Sequence, residues 1–227
     1  MSSLPNKLRH ISPSSLRNKF YALRHGQSEA NVAKIISSDP KISTVMHGLS
    51  NKGVQQVQAS VADFSRSFKE DLEYNKYAGV AIYASDFKRA WETAELFARG
   101  LNAAGIPVKE GKVVKEIRLR ERYFGKWNGQ SDLHYNDVWN VDCDDPNHTE
   151  NDVESVNSVM ERTSSLVLQI EEDIKAKTDD KYKIVLVAHG DVLQILQTAF
   201  QKKDGSVHRS LEHLETATVR ELTLSEH

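Results

Sequence analysis

The chain has 227 residues, of which 39% are hydrophobic and 27% are charged, and its formal net charge is −2. These values are typical of a single large globular domain, and they argue against disorder, a membrane span, and nucleic acid or membrane as the main partner. Cys143 is the only cysteine, so no internal disulfide is expected and a cytoplasmic location is favoured.

The first segment of the chain, residues 1–19, contains lysines, arginines and serines but no acidic residue. We predict that it is a flexible N-terminal tail ahead of a single domain spanning residues 20–227. An organelle transit peptide is the alternative, because such peptides are basic and rich in serine. The segment has no continuous apolar stretch, which argues against a secretory signal or a membrane anchor.

Two pairs of strand and helix are predicted in the first half of the domain. The apolar runs 20–23 and 80–84 each stop at polar residues, as buried strands do where they meet a loop. The helix after the second run is expected to end at Gly100, because glycine suits a helix C-terminus. The helix after the first run is expected to begin at Ser50 as its N-cap, and its apolar face consists of Val54, Val57, Val61, Phe64 and Phe68.

The second half alternates in the same way after an irregular stretch. A short strand is expected around Val113, whereas residues 120–152 have no sustained period and are interpreted as an irregular active-site segment. A helix begins near Val156, the run 184–188 is a strand followed by a helix, and residues 218–224 form a last strand. The alternation predicts a three-layer α/β fold, with a mostly parallel central sheet covered by helices on both faces.

Three of the predicted strands end in residues that can do chemistry. One is followed by Arg24, His25 and Gly26, another by Ser85 and Asp86 with Arg89 one turn into the next helix, and a third by His189 and Gly190. Ligand sites in parallel sheets form at the carboxyl ends of the strands. If the three strands are close neighbours, these groups meet in one pocket.

Such a pocket would suit a phosphoryl group. Arginine presents a planar fork that matches phosphate oxygens, so Arg24 and Arg89 are candidate phosphate ligands. A neutral imidazole can attack phosphorus, and either His25 or His189 could do so while the other stabilises charge. Glu121 is a candidate proton donor for the leaving group, since burial would raise its pKa although neighbouring arginines would lower it.

Four short motifs in a fixed order are more specific than any one of them. They are Arg24-His25-Gly26-Gln27-Ser28 with Asn31, Ser85-Asp86 with Arg89, Leu119-Arg120-Glu121-Arg122, and Ala188-His189-Gly190. This set resembles the histidine phosphatase superfamily, also called phosphoglycerate-mutase-like, and the resemblance runs from about Phe20 to Leu224. It departs from the usual pattern at Ala188, Asp191 and Asn128, and no glycine precedes Glu154-Ser155.

The resemblance implies a role for several residues of these motifs. His25 would be phosphorylated transiently, and Glu121 would donate a proton and then activate water. The phosphate would be held by Arg24, Arg89 and His189, with further contacts from Asn31 and the Gly190 amide. We also expect Arg122 to bind substrate. No metal and no cofactor are implied, and the expected partner is a small phosphorylated metabolite.

The family contains both hydrolases and mutases. Mutases similar to glycolytic phosphoglycerate mutase carry a longer segment after the acid region than the roughly thirty residues that follow Gly125 here, which favours a phosphatase. The alternatives are a phosphoglycerate-type mutase and an inactive phosphate-binding or scaffold module of the same fold. The sequence leaves open the natural substrate, including phosphoproteins, and the oligomeric state.

Several polar and aromatic residues outside the motifs have structural interpretations. The cluster of Asp142, Cys143, Asp144, Asp145 and His148 matches no standard metal-ligand spacing and is predicted to be an acidic loop. His208 and His213 are predicted at the surface. For Trp127, Tyr135 and Trp139, a place beside the substrate and packing under an irregular loop both remain open.

Overall fold

Five strands form one central sheet in the part of the chain that the structure describes. The computed structural model describes residues 4–71 and 73–226, with residue 74 by its backbone only. The strands are β1 (Lys19–Arg24), β2 (Gly79–Ala84), β3 (Val108–Lys115), β4 (Tyr182–Ala188) and β5 (Val219–Leu222), in the order β3-β2-β4-β1-β5. Only β5 runs antiparallel to its neighbour, which confirms the predicted mostly parallel sheet.

Helices cover both faces of this sheet. The α-helices are α1 (Glu29–Ala33), α2 (Pro40–Ser43), α3 (Asn51–Glu70), α4 (Lys88–Ala103), α5 (Tyr135–Asp142), α6 (Val156–Lys177) and α7 (Gly190–Phe200). Short 3-10 helices are Pro13–Ser15, Tyr74–Lys76, Ile117–Leu119, Gly125–Trp127, Asp132–His134, Glu150–Asp152 and Gly205–Ser210. None of the described helices is long and apolar enough to cross a membrane.

The two faces have separate hydrophobic cores. Side chains of β4 alternate between them, with Ile184 and Leu186 in the core beneath α6 and α7, and Val185 and Val187 in the core beneath α3 and α4. Successive residues of a strand point to opposite faces, so a continuous apolar run is required where both faces are covered. The three-layer α/β fold predicted from the sequence is confirmed.

The predicted start of α3 is confirmed, but the predicted end of α4 is wrong. Ser50 caps α3, because its hydroxyl accepts a hydrogen bond from the Gly53 amide at 3.1 Å. Helix α4 continues past Gly100 to Ala103. A Cβ atom at Gly100 would lie 2.6 Å from Cγ1 of Val61 on α3. This glycine therefore allows the two helices to approach closely instead of ending one of them.

The described part of the expected N-terminal tail packs against the domain. Leu8 is completely buried in the core beneath α6 and α7. The Asn6 side chain donates to the Ala199 carbonyl at 3.0 Å, and the Arg17 amide donates to Glu171 at 2.7 Å. Residues 4–18 are therefore ordered by partners elsewhere in the chain, which differs from the prediction of a flexible tail. A single leucine carries no periodic signal from which this could be inferred.

Candidate active site

The sheet order brings three functional strand ends together. Strands β2, β4 and β1 are adjacent and parallel, so their carboxyl ends share one edge. At that edge the His25 amide donates to the Ala188 carbonyl, and the Ser85 amide donates to the Val187 carbonyl, each at 3.0 Å. The residues that follow the three strands are therefore held side by side, so the condition that the sequence left open is met.

A small cavity of about 70 Å³ lies at this edge. Among the residues predicted from the sequence, its lining includes Arg24, His25, Asn31, Arg89, Glu121 and Gly190. The remaining lining residues are Ser28, Ala30, Ile35, Ser37, Tyr135, Trp139, Asp191, Arg209 and His213. Groups that lie up to 189 positions apart in the sequence, from Arg24 to His213, thus surround one space.

The His25 ring has a defined tautomer. Its Nε2 atom lies 3.2 Å from Nε of Arg89, which can only donate, so Nε2 must be the acceptor. The ring proton is then on Nδ1, which donates to the Gly26 carbonyl at 2.7 Å. Burial holds the pKa of His25 well below its usual value, and Arg89 and Arg24 lower it further. The imidazole is neutral, and its lone pair faces the cavity-lining arginine.

The His189 ring lies behind His25 and does not itself line the cavity. The two ring centroids are 5.1 Å apart. Nε2 of His189 is 3.0 Å from Oγ of Ser85, whereas Nδ1 is buried and has no hydrogen-bond partner among the described residues. Burial, followed by Arg89, lowers the pKa of His189 well below its usual value, so this ring is also neutral.

Arg24 and Arg89 are held by neutral acceptors. Arg89 donates from Nη2 to the Ser37 carbonyl at 2.9 Å, and Arg24 donates from Nη1 to the Leu214 carbonyl at 2.9 Å. Within the described residues, neither guanidinium forms an ion pair with a carboxylate. The Nε atom of Arg24 and the Nη1 atom of Arg89 are buried without a hydrogen-bond partner there. Both side chains therefore keep unused donors, and Glu121 is the main negative charge that acts on them.

Glu121 has the environment of a carboxylic acid instead of a carboxylate. Only 8% of the residue is exposed, and its Oε1 atom accepts a hydrogen bond from the Arg122 amide at 3.0 Å. Burial, with a further contribution from Asp191, raises the pKa of Glu121 to about 7, although Arg89 and Arg24 oppose the shift. The sequence left open whether burial or nearby arginines would control the pKa of Glu121, and in the structure burial has the larger effect.

Asn31 and Gly190 approach the cavity from the starts of two helices. Oδ1 of Asn31 accepts from the amide and hydroxyl of Ser28 at 3.0 and 2.9 Å, so its amide nitrogen remains as a donor. Gly190 is the first residue of α7, and a Cβ atom there would lie 3.2 Å from Nε of Arg24. Glycine permits this close approach of backbone and guanidinium.

The structure does not bring Arg122 to the cavity. Its side chain is completely buried, and Nη1 and Nη2 donate to Asp142 at 2.6 and 2.7 Å. Nε donates to the Glu154 carbonyl at 2.6 Å, and Asp191 lies 3.3 Å from Nη1. All of its donor edges face protein, so the expectation that Arg122 binds substrate is not supported by its position.

One further prediction fails in the same buried region, and another holds only in part. His208 is completely buried, with Nε2 at 3.4 Å from Asp191, and is not a surface residue. Asp142 and His148 are buried partners at 2.7 Å, whereas the other members of the predicted acidic loop, Cys143, Asp144 and Asp145, are exposed. Among the described residues, no group of three or more His, Cys, Asp or Glu side chains is arranged to hold a metal ion.

One wall of the cavity consists of residues that carried no decisive signal in the sequence. The rings of Tyr135 and Trp139 stack with centroids 5.0 Å apart, and the guanidinium of Arg209 lies 3.6 Å from the Trp139 ring centroid. Tyr135 also meets Phe124 edge-on at 4.8 Å. Tyr135 and Trp139 lie on α5, and Arg209 lies on the 3-10 helix Gly205–Ser210. No motif marks these three residues.

A second, larger groove does not contain the predicted chemistry. It measures about 850 Å³ and runs between α3 and β5, past Tyr21, Phe64 and Lys183. None of the sequence-predicted site residues lines it. Size alone would select this groove, but the small cavity has the neutral histidine, the two arginines without an ion-pair partner among the described residues and the buried acid that mark a candidate site.

The whole domain matches one family. The model for the histidine phosphatase superfamily (branch 1) matches residues 20–227. The chain belongs to the histidine phosphatase superfamily. This confirms the resemblance noted in the sequence, and several structural neighbours of the chain are phosphatases.

Individual relatives differ in how much of the chain they match and in how similar they are to it. Human 6-phosphofructo-2-kinase/fructose-2,6-bisphosphatase 4 is 30% identical over 108 residues, which cover 48% of this chain and 18% of that protein. The mycobacterial glucosyl-3-phosphoglycerate phosphatase with VO3 has a TM-score of 0.68 at 22% identity, covering 90% of each chain. Bacillus stearothermophilus YhfR has a TM-score of 0.64 at 22% identity, covering 89% of each chain. The two structures share the fold with this chain.

Proposed function

We propose that the protein is a phosphatase that hydrolyses phosphate monoesters of small metabolites through a phosphohistidine intermediate. The observation that carries the proposal is a set of three buried nitrogen atoms at the site without partners among the described residues: Nε of Arg24, Nη1 of Arg89 and Nδ1 of His189. A buried donor without an acceptor costs about 1–3 kcal/mol, so the unpartnered donors of the two cavity-lining arginines favour binding of an anion with several oxygens.

In the first step, the neutral His25 acts as the nucleophile. Its Nε2 lone pair attacks phosphorus, a P–N bond forms, and the bond between phosphorus and the ester oxygen breaks. The hydrogen bond from Arg89 Nε moves from Nε2 to a phosphate oxygen, because the lone pair is now used. Glu121, whose pKa of about 7 keeps much of it protonated, gives its proton to the leaving alkoxide.

In the second step, water replaces the histidine. The Glu121 carboxylate takes a proton from a water molecule, the water oxygen attacks phosphorus, and the P–N bond breaks. Inorganic phosphate leaves, His25 is again neutral, and Glu121 is again protonated. Arg24, Arg89 and His189 stabilise the charge on the phosphoryl oxygens in both steps, together with Asn31 and the Gly190 amide. No step requires a metal ion or a cofactor.

The neutral state of His189 is consistent with this role. Ser85 Oγ already accepts a hydrogen bond from the Phe87 amide at 3.2 Å, so its own proton is available to Nε2 of His189. The ring proton of His189 is then on Nδ1, the unpartnered atom. A neutral N–H donor in the ring next to His25 can stabilise a phosphoryl oxygen once phosphorus is bonded to His25.

The test is hydrolysis of p-nitrophenyl phosphate in the presence of EDTA by the wild type and by His25→Ala. We expect the variant to lose at least about 10³-fold in kcat. Exposed His10, which does not line the cavity, provides the matched control His10→Ala, expected to keep wild-type activity. An acid-labile phosphoprotein should be trapped on rapid quenching of the wild type and not of His25→Ala.

Three results would overturn the proposal. Undiminished turnover by His25→Ala would remove the phosphohistidine. Incubation with 3-phosphoglycerate that yields 2-phosphoglycerate faster than free phosphate would establish a mutase. A wild-type protein that binds phosphate and turns over none of a broad panel of esters would instead be a binding module.

A further inference from the structure

The Arg24 guanidinium is anchored by one exposed loop. Its Nη1 atom donates both to the Leu214 carbonyl at 2.9 Å and to Nε2 of His213 at 2.8 Å. These contacts occupy the end of the side chain and leave Nε, which is buried and unpartnered among the described residues, beside Gly190 at the cavity. The direction in which Arg24 presents its remaining donors therefore depends on these two acceptors.

The backbone of the loop is fixed independently of the His213 ring. Arg220 on β5 donates from Nη1 to the Glu212 carbonyl at 2.8 Å and from Nη2 to the His213 carbonyl at 3.1 Å. The same Nη1 atom reaches Oε1 of Gln197 on α7 at 2.8 Å. Because Arg220 holds main-chain atoms, replacing the exposed imidazole leaves the loop and the Leu214 acceptor in place.

His213 can accept this hydrogen bond only when it is neutral. Arg24 has no acceptor, so Nε2 of His213 must carry a lone pair, and a proton there would place two cations in contact. Burial, followed by Arg24 and Arg209, lowers the pKa of His213 below its usual value. The charged groups that act on the ring are Arg24 from β1, Arg209 from the 3-10 helix Gly205–Ser210, Arg220 from β5, and Glu215 from the same loop.

We propose that His213 is a positioning residue that aims the guanidinium of Arg24 at the phosphate, and that it does so only as a neutral hydrogen-bond acceptor. The inference rests on the proposed phosphatase function and adds a residue that no family motif marks. Acid then weakens phosphate binding through His213 while the nucleophile His25 is still neutral.

The test compares His213→Ala with His213→Gln on p-nitrophenyl phosphate, together with competitive inhibition by inorganic phosphate. At roughly neutral pH, we expect His213→Ala to raise KM and the phosphate inhibition constant by the same factor, roughly tenfold. The change in kcat should be smaller. Glutamine can present Oε1 to Arg24, so His213→Gln should recover part of the loss. It should also lack the rise in KM that the wild type shows as the pH falls through the His213 pKa.

His10→Ala is the control, because this exposed imidazole lies outside the cavity and away from the loop that anchors Arg24. Denaturant unfolding of each variant checks that the fold is retained. If His213→Ala raises KM for the ester but leaves phosphate inhibition unchanged, the ring contacts the leaving group and the inference is wrong. Unchanged values of both constants would also overturn it.

Calorimetry with inorganic phosphate separates this inference from the proposed function. If the wild type hydrolyses no ester but binds phosphate, and the affinity falls in His213→Ala, positioning of Arg24 stands while the phosphatase proposal fails. If hydrolysis depends on His25 but neither phosphate affinity nor KM depends on His213, the phosphatase proposal stands while the positioning inference fails.

Discussion

Two clusters of side chains in this protein contain buried arginine, and they differ in their counter-charges. At the cavity, Arg24 and Arg89 donate to carbonyl oxygens and imidazole nitrogens and form no ion pair with a described carboxylate. In the cluster below, Arg122 is enclosed by Asp142 and Asp191, with His208 close to the latter. We call these the cavity cluster and the buried network.

The difference separates binding from support. A buried cation whose charge is matched and whose donors are used has nothing left for a ligand, so the buried network ties α5 and α7 together. A buried cation with unused donors is costly until an anion arrives, so the cavity cluster is suited to phosphate. Residue type and depth of burial do not distinguish the two roles, since both clusters contain buried arginine.

The largest expected effect is the loss of stability when the buried network loses its cation. Arg122→Met leaves Asp142 and Asp191 without their main partner, so we expect the free energy of unfolding to fall by about 3–5 kcal/mol. Urea unfolding measures this change. A variant with wild-type stability and weakened phosphate binding would show that Arg122 serves the ligand, and the contrast between the two clusters would be lost.

In the cavity cluster, the same kind of change should affect activity instead. Arg89→Gln removes a charge that forms no ion pair with a described carboxylate, so we expect kcat/KM to fall by roughly 10²–10³-fold while stability is retained. Steady-state kinetics and urea unfolding of the same preparation give both quantities. Large destabilisation with unaltered kinetics would place Arg89 with the structural arginines.

The smallest expected effect is a shift in pH dependence, and it tests the residue that links the two clusters. Asp191 lines the cavity and also faces Arg122. Glu121 must carry a proton to act as an acid and its pKa is about 7, so hydrolysis of an alkyl phosphate should decline as the pH rises above that value. Asp191→Asn removes a negative charge that favours the protonated form, so the decline should begin at lower pH.

Glu121→Gln is the control for this assignment, because it should slow alkyl phosphate hydrolysis by roughly 10²-fold and abolish the alkaline decline. p-Nitrophenyl phosphate, whose leaving group needs less protonation, should show a weaker dependence on both substitutions. A pH profile that keeps its alkaline limb in Glu121→Gln would assign the proton donor elsewhere.

Local patterns in the sequence were sufficient for the strands, most of the helices and the residues at the strand ends. The run 184–188 could be recognised because a strand covered on both faces must be apolar throughout. The N-cap at Ser50 was recognisable because capping involves only neighbouring residues. These are interactions within one element, and the sequence states them directly.

Contacts between distant elements could not be read in this way. Gly100 is a residue type that often follows the end of a helix, yet it lies inside α4, where Val61 packs against it. His208 looked like a surface residue, and Leu8 like part of a tail, because their burial depends on elements far away in the chain. The wall formed by Tyr135, Trp139 and Arg209 likewise joins segments that have no common pattern.

The sequence by itself determined the family, the α/β architecture and the set of groups that can handle phosphate, since all three follow from ordered motifs and local periodicity. The tertiary structure alone decided that β2, β4 and β1 are neighbours, that burial raises the pKa of Glu121, and that Arg122 finds carboxylates while Arg24 and Arg89 do not. The physical reason is that burial and electrostatic compensation depend on distances in space, and the chain brings those groups together only on folding.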